Sequence, residues 1–460
     1  MSDSHKLQSI NPSNYQVLGT VDVSSKQEIA NKVKIARGAQ KKWAEIDVIK
    51  RVSALKTAFE DLKSKKTEFT LLESREMGMP INEAVADFDS TFDYVNWYFE
   101  NAEKYLSPET TFENASEIHQ VFHEPVGVSA VIVPWNFPLA NFVWGALQSL
   151  VAGNTIVFKH SEECPLSGKF IEDILVTHLP VGVFNAIYGA GEVGNTLVNQ
   201  SINMIAFTGS TKTGKYLYEL AGKKFIKAVM ELGGSAPGIV FEDADIESAV
   251  GNICSNRLLN QGQCCDGLKR LIVHERIFDR VAEKVASVFS AKKIGVAERR
   301  ETEIGPLVSK KQLDLLSSQV EEAKQKGVKV VIGGNSLEKK LGGSFFEPTV
   351  LTDIRNDMRV WTEEVFGPVL PIVSFKNEQE AIKLANETNY GLGSYIFTRN
   401  KKRAKRVSRA IESGMVSVNG INYIMPFNPF GGYKNSGFGR EHGRYGFQEV
   451  TQIKIVARNK

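Results

Sequence analysis

The chain has 460 residues, of which 42% are hydrophobic and 24% are charged, a composition typical of a soluble globular protein of two or three domains. Its 56 basic and 53 acidic residues leave a net charge of only +3, so nothing predicts binding to nucleic acid or to an anionic membrane. The four cysteines do not suggest a disulfide framework, and the polar N-terminus lacks the apolar run of a signal peptide. We therefore expect a cytoplasmic protein.

The first 105 residues show the apolar spacing of amphipathic helices. Helices are predicted at 26–41, 48–65, 68–75 and 81–105. From 107 to 123 the pattern becomes polar and alternating, which predicts an exposed β-hairpin with an open edge. The C-terminal run 451–457 is a matching strand. We therefore expect strand pairing between subunits, in a homodimer or a homotetramer.

From residue 126 onward, short apolar runs alternate with helical ones. Strands are predicted at 126–133, 155–158, 184–188, 204–207 and 229–232, and helices at 139–151, 166–178, 193–199 and 213–223. This alternation is typical of an open parallel α/β sheet, which binds ligands beyond the carboxyl ends of its strands. The charge-free stretch 125–158 is not a predicted membrane span, because Pro134 and Pro138 would break a spanning helix.

A second α/β alternation begins after Gly233. Its strands are predicted at 239–241, 271–273, 328–332, 369–375 and 394–397. We place a domain boundary at the glycine pair Gly233-Gly234.

The stretch Asn260 to Gly267, N-Q-G-Q-C-C-D-G, places two adjacent cysteines between glycines. A thiol is reactive as the thiolate, which requires an accessible and polar site. Glycines allow the backbone to approach a ligand closely. Taken alone, however, Cys264 and Cys265 are more readily interpreted as small buried apolar residues, as most free cysteines are.

Two glycine-rich motifs are weak indicators of nucleotide binding. The GxGxxG pattern at 189–194 lacks the acidic residue expected about twenty positions later. The segment 208–215, T-G-S-T-K-T-G-K, resembles a P-loop, but Tyr216 stands where a magnesium-binding hydroxyl is needed. What remains is a strand end that opens a helix at 207–210. It could hold a phosphate through free N–H groups and a hydroxyl, or it is an ordinary turn.

Several polar residues stand at the ends of predicted strands or in rigid turns. Lys159 and Glu162 suit the two hydroxyls of a ribose, although a solvated turn has the same residues. Glu231 closes an apolar strand, where desolvation raises the pKa of a carboxyl group and suits a general base, although a helix or turn cap is the alternative. Asn136 lies between two prolines and two aromatic residues, as a side-chain oxyanion donor requires, and the alternative is a polar residue that satisfies a tight turn. The seven histidines show no metal-ligand spacing, so no metal site is predicted.

In chain order these motifs resemble the aldehyde dehydrogenase superfamily. The matching motifs are P-W-N-F-P, K-H-S-E, F-T-G-S-T, E-L-G-G, G-Q-x-C, E-E-V-F-G-P and P-F-G-G-Y-K-N-S-G. The resemblance covers nearly the whole chain. The run R-E-M-G-M-P-I-N-E-A at 75–84, with E-L-G-G-S-A-P, is similar to the short bacterial succinate-semialdehyde dehydrogenase branch.

This resemblance implies an α/β fold with a Rossmann-like dinucleotide-binding domain, a second α/β catalytic domain and a small β oligomerisation arm. The implied dinucleotide-binding domain comprises 1–105 and 124–232, and the implied oligomerisation hairpin is 106–123. The implied catalytic domain is 233–430. Residues 431–460 would return along the chain and end in an oligomerisation strand.

The resemblance also implies roles for individual residues. Cys265 would be the nucleophile, Glu231 the general base, and Asn136 the side-chain half of an oxyanion hole completed by the Cys265 N–H. The residues implied to bind the cofactor are Trp135, Lys159, Ser161, Glu162, Gly209, Ser210, Leu232, Gly233, Glu364 and Phe366. Those implied to line a substrate tunnel are Phe137, Trp144, Cys264, Ile424 and Phe430.

The implied reaction is the NAD(P)-dependent oxidation of an aldehyde to a carboxylic acid through a cysteine thiohemiacetal and a thioester. NAD is favoured over NADP because Glu162 would repel a 2′-phosphate, although Lys159 and His160 nearby could tolerate one. A semialdehyde such as succinate semialdehyde is the expected substrate. Leu259, however, falls where some succinate-semialdehyde enzymes carry a carboxylate-binding arginine, and an apolar or aromatic aldehyde is the alternative.

Three other functions remain as alternatives. A CoA-acylating aldehyde dehydrogenase has no need for a water-activating carboxylate, so Glu231 disfavours it. A cysteine hydrolase needs a histidine base, and no histidine lies in a comparable motif. A catalytically silent binding protein would keep the fold without turnover.

Overall fold

The structure is a computed structural model that describes residues 6–460. Its strands are β1 (Lys6–Ile10), β2 (Val17–Asp22), β3 (Glu109–Glu113), β4 (Glu117–Pro125), β5 (Val128–Ile132), β6 (Thr155–Lys159), β7 (Phe184–Ile187), β8 (Met204–Thr208), β9 (Lys227–Glu231), β10 (Ala236–Val240), β11 (Leu268–His274), β12 (Lys329–Ile332), β13 (Thr349–Thr352), β14 (Val369–Phe375), β15 (Tyr390–Gly391), β16 (Tyr395–Phe397), β17 (Ser417–Val418), β18 (Tyr433–Lys434), β19 (Gly437–Phe438) and β20 (Thr451–Asn459).

Its α-helices are α1 (Lys26–Glu45), α2 (Val48–Ser64), α3 (Lys66–Met77), α4 (Ile81–Leu106), α5 (Pro138–Phe142), α6 (Gln148–Ala152), α7 (Pro165–His178), α8 (Gly191–Val198), α9 (Thr211–Lys224), α10 (Ile246–Leu258), α11 (Phe278–Ser290), α12 (Lys310–Gln325), α13 (Glu338–Leu341), α14 (Arg359–Thr362), α15 (Glu378–Asn386), α16 (Lys401–Ala410) and α17 (Gly443–Glu449). One π-helical turn, Val143–Leu147, joins α5 to α6.

The first large sheet has six strands in the order β19-β9-β8-β5-β6-β7. The five strands from β5 to β9 are parallel, and only β19 is antiparallel to its neighbour. Every residue of β5 and β6 is buried, as expected for parallel strands covered by helices on both faces. The N-terminal helices and those between the strands form these two covering layers.

The second large sheet has seven strands in the order β12-β13-β14-β11-β10-β16-β17. All of its pairs are parallel except β12 with β13. The chain passes from the first sheet to the second between Glu231, at the end of β9, and Ala236, at the start of β10. The carboxyl end of the first sheet therefore faces elements of the second, which is where an open α/β fold places its ligands.

A third sheet of three strands, in the order β20-β4-β3, stands apart from the two large ones. The expected hairpin is present as β3 and β4. We expected residues 451–457 to pair with the hairpin of another subunit. For the edge of β4 this expectation is wrong, because β20 pairs along its whole length with β4 of the same chain. An antiparallel partner within the chain satisfies the open edge of β4.

Most predicted helices and strands are confirmed to within a few residues, because their apolar periodicity is strong. The predicted helix 139–151 is interrupted by the π-helical turn, an insertion that is frequent at functional sites. The short strands β1, β2, β13, β15, β17, β18 and β19 were not predicted. Their sequences are brief or polar, and their pairing depends on distant partners.

Within residues 6–460, no helix is long and apolar enough to cross a membrane. No group of three or more His, Cys, Asp and Glu side chains in that range is arranged to hold a metal ion.

Candidate active site

A continuous cleft lies between the carboxyl end of the first sheet and the second sheet. Its inner part has a volume of about 250 Å³ and contains Asn136, Glu231, Cys265, Glu364 and Phe366 in its wall. Its outer part has a volume of about 390 Å³ and is lined by Lys159, Ser161 and Glu162 among others. The two parts share the wall formed by Pro134, Trp135, Thr208, Gly209 and Ser210.

The loop that carries the two cysteines follows α10 and has an unusual backbone. Asn260, Gln261 and Gly262 have successive φ values of 50°, 53° and 75°, a region that non-glycine residues rarely occupy. Such strain persists only where surrounding contacts impose it. Here the Asn260 N–H donates to Glu83 Oε2 at 2.7 Å, and Asn260 Nδ2 donates to the Asn136 carbonyl at 2.6 Å. The loop is therefore anchored to α4 and to the turn between β5 and α5.

The two adjacent cysteines have different environments. Cys265 is partly exposed and lines the inner cleft. Cys264 is buried, and its thiol donates to Asp266 Oδ1 at 3.1 Å. A hydrogen bond with Cys265, followed by burial and the charge of Asp266, raises the pKa of Cys264 well above its ordinary value. Cys265 is therefore the thiol that a ligand in the cleft can reach.

The side chain of Asn136 is held in one orientation. Its Nδ2 donates to the Gln263 carbonyl at 3.0 Å, and its Oδ1 accepts from Asn141 Nδ2 at 3.1 Å. An amide nitrogen carries two N–H donors, so one of them is available in the cleft that Asn136 lines beside Cys265. Asn141 thus orients the amide, a role that no sequence motif indicated.

Glu231 ends β9 and lines the inner cleft with only 2% of its surface exposed. Among residues 6–460, neither of its carboxylate oxygens has a hydrogen-bond partner. Burial raises the pKa of Glu231 well above its ordinary value, and Glu441 and Cys265 raise it further by charge. Burial also raises the pKa of Glu441 to about 8. A carboxylate in this setting is a stronger base than one in water.

The outer part of the cleft brings together the ribose and phosphate candidates. Lys159 ends β6, is buried, and lies 3.4 Å from Glu162 Oε2. Burial lowers the pKa of Lys159, and Glu162 acts in the opposite direction. Ser210 is the N-cap of α9, where its hydroxyl accepts from the Thr213 N–H at 3.3 Å. The first turn of this helix presents free N–H groups to the cleft.

Glu364 and Phe366 stand at the opposite, inner end of the cleft. Glu364 Oε1 accepts from the Gly234 N–H at 3.0 Å and from Lys269 Nζ at 2.6 Å. A Cβ atom on Gly233 would overlap the other oxygen of Glu364, so a larger residue there would displace the Glu364 carboxylate. The rings of Phe366 and Trp135 meet edge to face with centroids 5.5 Å apart.

Buried Arg257 on α10 supports the segment that carries Glu364 and Phe366. Its guanidinium donates to the carbonyls of Val365 and Val369, each at 3.0 Å, and to that of Gly367. The helix that leads into the cysteine loop therefore also positions this segment.

Two of the five expected tunnel residues lie beside Cys265. Trp144 and Phe430 contact each other, with ring centroids 5.3 Å apart, and both belong to an apolar cluster that includes Cys265. Phe137 packs with Trp135 against a cluster around Met77 and Met79, and Ile424 packs, like Trp144, against the core of the first sheet. Cys264 is buried beneath the loop.

Other residues near the cleft carry no sequence motif. Tyr423 packs beside Cys265 and donates to Asp266 Oδ2 at 3.0 Å. Glu441 is buried near Glu231. Lys269 is fully buried in β11. Only Lys269 left a signal in the sequence, since it is followed by Arg270 in an otherwise apolar strand.

Comparison with known proteins identifies the family. The profile of the Aldehyde dehydrogenase family matches residues 1–456. The chain is 35% identical over 449 residues to succinate-semialdehyde dehydrogenase (NADP(+)) GabD of Escherichia coli K12, covering 97% of this chain and 93% of that protein. Glutarate-semialdehyde dehydrogenase of Pseudomonas putida is similar to the same extent, at 35% identity over 449 residues with 97% and 93% covered.

Among solved structures, the NAD+ complex of aldehyde dehydrogenase from Bacillus cereus has a TM-score of 0.95 to this chain at 34% identity, covering 99% of this chain and 93% of that one. The chain belongs to the aldehyde dehydrogenase family, whose members are NAD(P)-dependent oxidoreductases that act on aldehydes. The predicted fold class, class of enzyme and use of a nicotinamide cofactor are thereby confirmed.

Replacing Asn141 tests whether it orients Asn136. We expect Asn141→Leu to lower kcat/KM for an aldehyde about tenfold, because the Asn136 amide would lose its orientation. Asn136→Ala should cost more, about 10²- to 10³-fold, the usual effect of removing an oxyanion donor. Both values come from steady-state kinetics at saturating cofactor. An Asn141→Leu enzyme with unchanged kcat/KM would contradict the orienting role.

Proposed function

We propose that the protein oxidises an aldehyde to a carboxylic acid through a covalent intermediate on Cys265, with Glu231 as the base that activates water. One observation carries this proposal. Cys265, Glu231 and Asn136 line the same cavity as Glu364 and Phe366, so a nucleophile, a base and an oxyanion donor share one space with the cofactor candidates.

The residues along the cleft fit a nicotinamide dinucleotide. Lys159 and Glu162 offer a cation and a carboxylate to the adenosine ribose at the outer end. The N-terminus of α9, a helix of 14 residues, offers N–H groups and the Ser210 position to a phosphate. Glu364 offers its second oxygen to the other ribose, beside Gly233 and Leu232, and Trp135 and Phe366 flank that end.

The first chemical step is addition of the Cys265 thiolate to the aldehyde carbon. The Asn136 amide N–H and the Cys265 backbone N–H stabilise the oxyanion that forms. The nicotinamide supplies the hydride acceptor when it is bound. Cys265 then holds the oxidised substrate as a thioester, and the wall of the inner cleft keeps that bond close to Glu231.

The second step is hydrolysis of the thioester. Glu231 takes a proton from water, which attacks the thioester carbonyl and releases the acid and the Cys265 thiolate. Its buried and unpartnered carboxylate supports this role. The same carboxylate disfavours a CoA-acylating function, in which the thioester must survive until CoA arrives.

For the cofactor we propose a preference for NAD. Glu162 would accept the 2′-hydroxyl of an adenosine ribose and repel a 2′-phosphate. Lys159 is 3.4 Å from that carboxylate, so its charge is already matched. One relative is named as NADP-dependent, however, and one similar structure is an NAD+ complex, so NADP remains a second candidate.

For the substrate we propose an apolar or aromatic aldehyde. The cluster beside Cys265 contains Leu392, Met415, Phe430, Trp144 and Tyr423.

The acidic side chain of Asp266 accepts from Tyr423 in the same region, which disfavours an anionic substrate. Leu259 lines a separate cavity with Glu83 and Lys292, away from the inner cleft. The second candidate is succinate or glutarate semialdehyde, which the names of two relatives favour.

An absorbance assay of nicotinamide reduction tests the proposed reaction and substrate class. The purified enzyme is given NAD or NADP with benzaldehyde, hexanal, succinic semialdehyde or glutaric semialdehyde. We expect kcat/KM for benzaldehyde or hexanal to exceed that for either semialdehyde by about tenfold or more, since burying a carboxylate against the apolar cluster beside Cys265 is costly.

Two variants control this assay. Cys265→Ala should abolish reduction of the cofactor, whereas Cys264→Ala should retain most of it. A semialdehyde as the best substrate would move the proposal to the second candidate. Absence of reduction with every aldehyde and both cofactors would overturn the proposed function.

Glu231→Gln separates the two chemical steps. We expect a burst of reduced cofactor equal to the enzyme concentration, followed by turnover that is about 100-fold slower, because acylation persists and the water-activating base is lost. In the wild type, kcat should fall as the pH falls through the raised pKa of Glu231, since only its carboxylate form accepts the proton. Stopped-flow absorbance measures both. A variant that loses the burst as well would place Glu231 in acylation.

We also propose that the chain self-associates as a homodimer or homotetramer through the three-stranded sheet. The side chains of Ile453 and Ile455 on β20 are 72% and 58% exposed, and β20 is an edge strand, both of which favour a partner surface. Light scattering should give two or four times the 51.0 kDa chain mass. The double variant Ile453→Lys, Ile455→Lys should shift that mass downward, and a monomeric wild type would refute self-association.

A further inference from the structure

Lys269 is a lysine with no exposed surface, near the start of a fully buried strand. Buried lysines are rare unless they are paired, because removing an ammonium group from water is costly. Lys269 is the second residue of β11, four positions after Cys265. Its ammonium group lies behind the wall of the inner cleft, in contact with Cys265 and with Glu364, the candidate ribose ligand.

The three donors of the Lys269 ammonium group match three acceptors. Nζ donates to Glu364 Oε1 at 2.6 Å, to the Cys265 carbonyl at 2.8 Å and to the Gly234 carbonyl at 2.9 Å. An ammonium group has three N–H donors and no acceptor, so its hydrogen-bonding capacity is fully used. Two of the three acceptors belong to groups that the proposed reaction depends on.

The contact with Glu364 leaves one carboxylate oxygen for a ligand. Oε1 receives both Lys269 Nζ and the Gly234 N–H. Oε2 lies against the Cα of Gly233, where no side chain intervenes. The Glu364 side chain remains 22% exposed and lines the cleft. Lys269 therefore fixes the carboxylate in the orientation that presents Oε2 to the cleft.

Lys269 also reaches the aromatic side of the site. Its Nζ lies 5.1 Å from the centroid of the Phe366 ring, a distance at which a cation is attracted to an aromatic face. One ammonium group thus contacts Glu364, the peptide of Cys265 and Phe366. These three elements come from two separate parts of the chain, the cysteine loop and the segment before β14.

We propose that Lys269 is a positioning residue for the cofactor. By donating to both the Glu364 carboxylate and the Cys265 carbonyl, it fixes the distance between these two groups. It thereby determines the position of the nicotinamide ribose relative to the Cys265 nucleophile. This inference rests on the proposed role of Glu364 as a ribose ligand. Lys269 acts through Glu364 and does not touch the reacting atoms.

Arg270, the next residue of β11, is a buried cation whose contacts are only structural, in contrast to those of Lys269. It is also fully buried, but its guanidinium donates only to the backbone carbonyls of Ser235, Leu384 and Ala385. No carboxylate or cleft residue is among those acceptors. Arg270 is therefore a matched control for a substitution of a buried cation in the same strand.

The test is a double-mutant cycle between Lys269 and Glu364, with Lys269→Met, Glu364→Gln and the combined variant. For each variant the dissociation constant of NAD is measured by titration calorimetry without aldehyde, and the KM values for NAD and for the best aldehyde are measured separately. We expect Lys269→Met to raise the KM for NAD about tenfold and the KM for the aldehyde by less than about threefold. If Lys269 and Glu364 act independently, their effects on the KM for NAD should multiply in the double variant. If they act as one unit, the KM for NAD of the double variant should be close to that of the more impaired single variant.

Two further variants keep the test decisive if Lys269→Met folds poorly. Lys269→Gln retains two N–H donors without the charge and should give a smaller rise in the KM for NAD. Arg270→Lys should lower the melting temperature and leave the KM for NAD unchanged. A folded Lys269→Gln or Lys269→Met enzyme with the wild-type KM for NAD would overturn the proposal, as would multiplicative effects in the cycle.

The failures of the two proposals are distinguishable. If Glu364→Gln leaves the KM for NAD unchanged, Glu364 is not a ribose ligand and the proposed function of that residue fails. If Glu364→Gln raises the KM for NAD but Lys269→Met does not, only the positioning role of Lys269 fails.

Discussion

The crossing of the chain from one sheet to the other at Gly233 and Gly234 is the constraint on which the whole site depends. Glu231 ends the last parallel strand of the first sheet, and Ala236 begins the second sheet. A Cβ on Gly233 would overlap Glu364, and one on Gly234 would overlap the Cys265 carbonyl. Because both residues are glycines, the nucleophile loop and the Glu364 segment approach the end of the first sheet closely enough to enclose one cleft.

The charges around this cleft are arranged in two contrasting ways. Glu231 is buried without a hydrogen-bond partner among the described residues, so its pKa is raised and it is a strong base. Lys269 is buried with all three donors used, so its charge is compensated and its position is fixed. The first arrangement suits proton transfer, and the second suits rigidity. The proposed two-step reaction depends on both features: Glu231 is an unpaired base, and Lys269 is a fully hydrogen-bonded group that holds its neighbours in place.

Much of the fold and part of the candidate site could be predicted from the sequence, because periodicity and short motifs are local features of the chain. Apolar periodicity located most helices and the parallel strands, and the short motifs located Cys265, Asn136 and Glu364. Asn141 and Lys269 escaped prediction because their roles exist only through partners 5 and 95 positions away. The pairing of β20 with β4 was misplaced for the same reason, since an open edge in a sequence does not reveal which strand will cover it.

Mass spectrometry of the trapped intermediate shows whether Cys265 holds the substrate covalently. The Glu231→Gln enzyme is mixed with NAD and an aldehyde, quenched in acid and digested, and the acylated peptide is sequenced. Cys264 and Cys265 are adjacent, so fragmentation between them assigns the thioester. The account predicts one acyl group on Cys265 and none on Cys264. An acyl group on Cys264, or no acyl-enzyme despite formation of reduced cofactor, would contradict it.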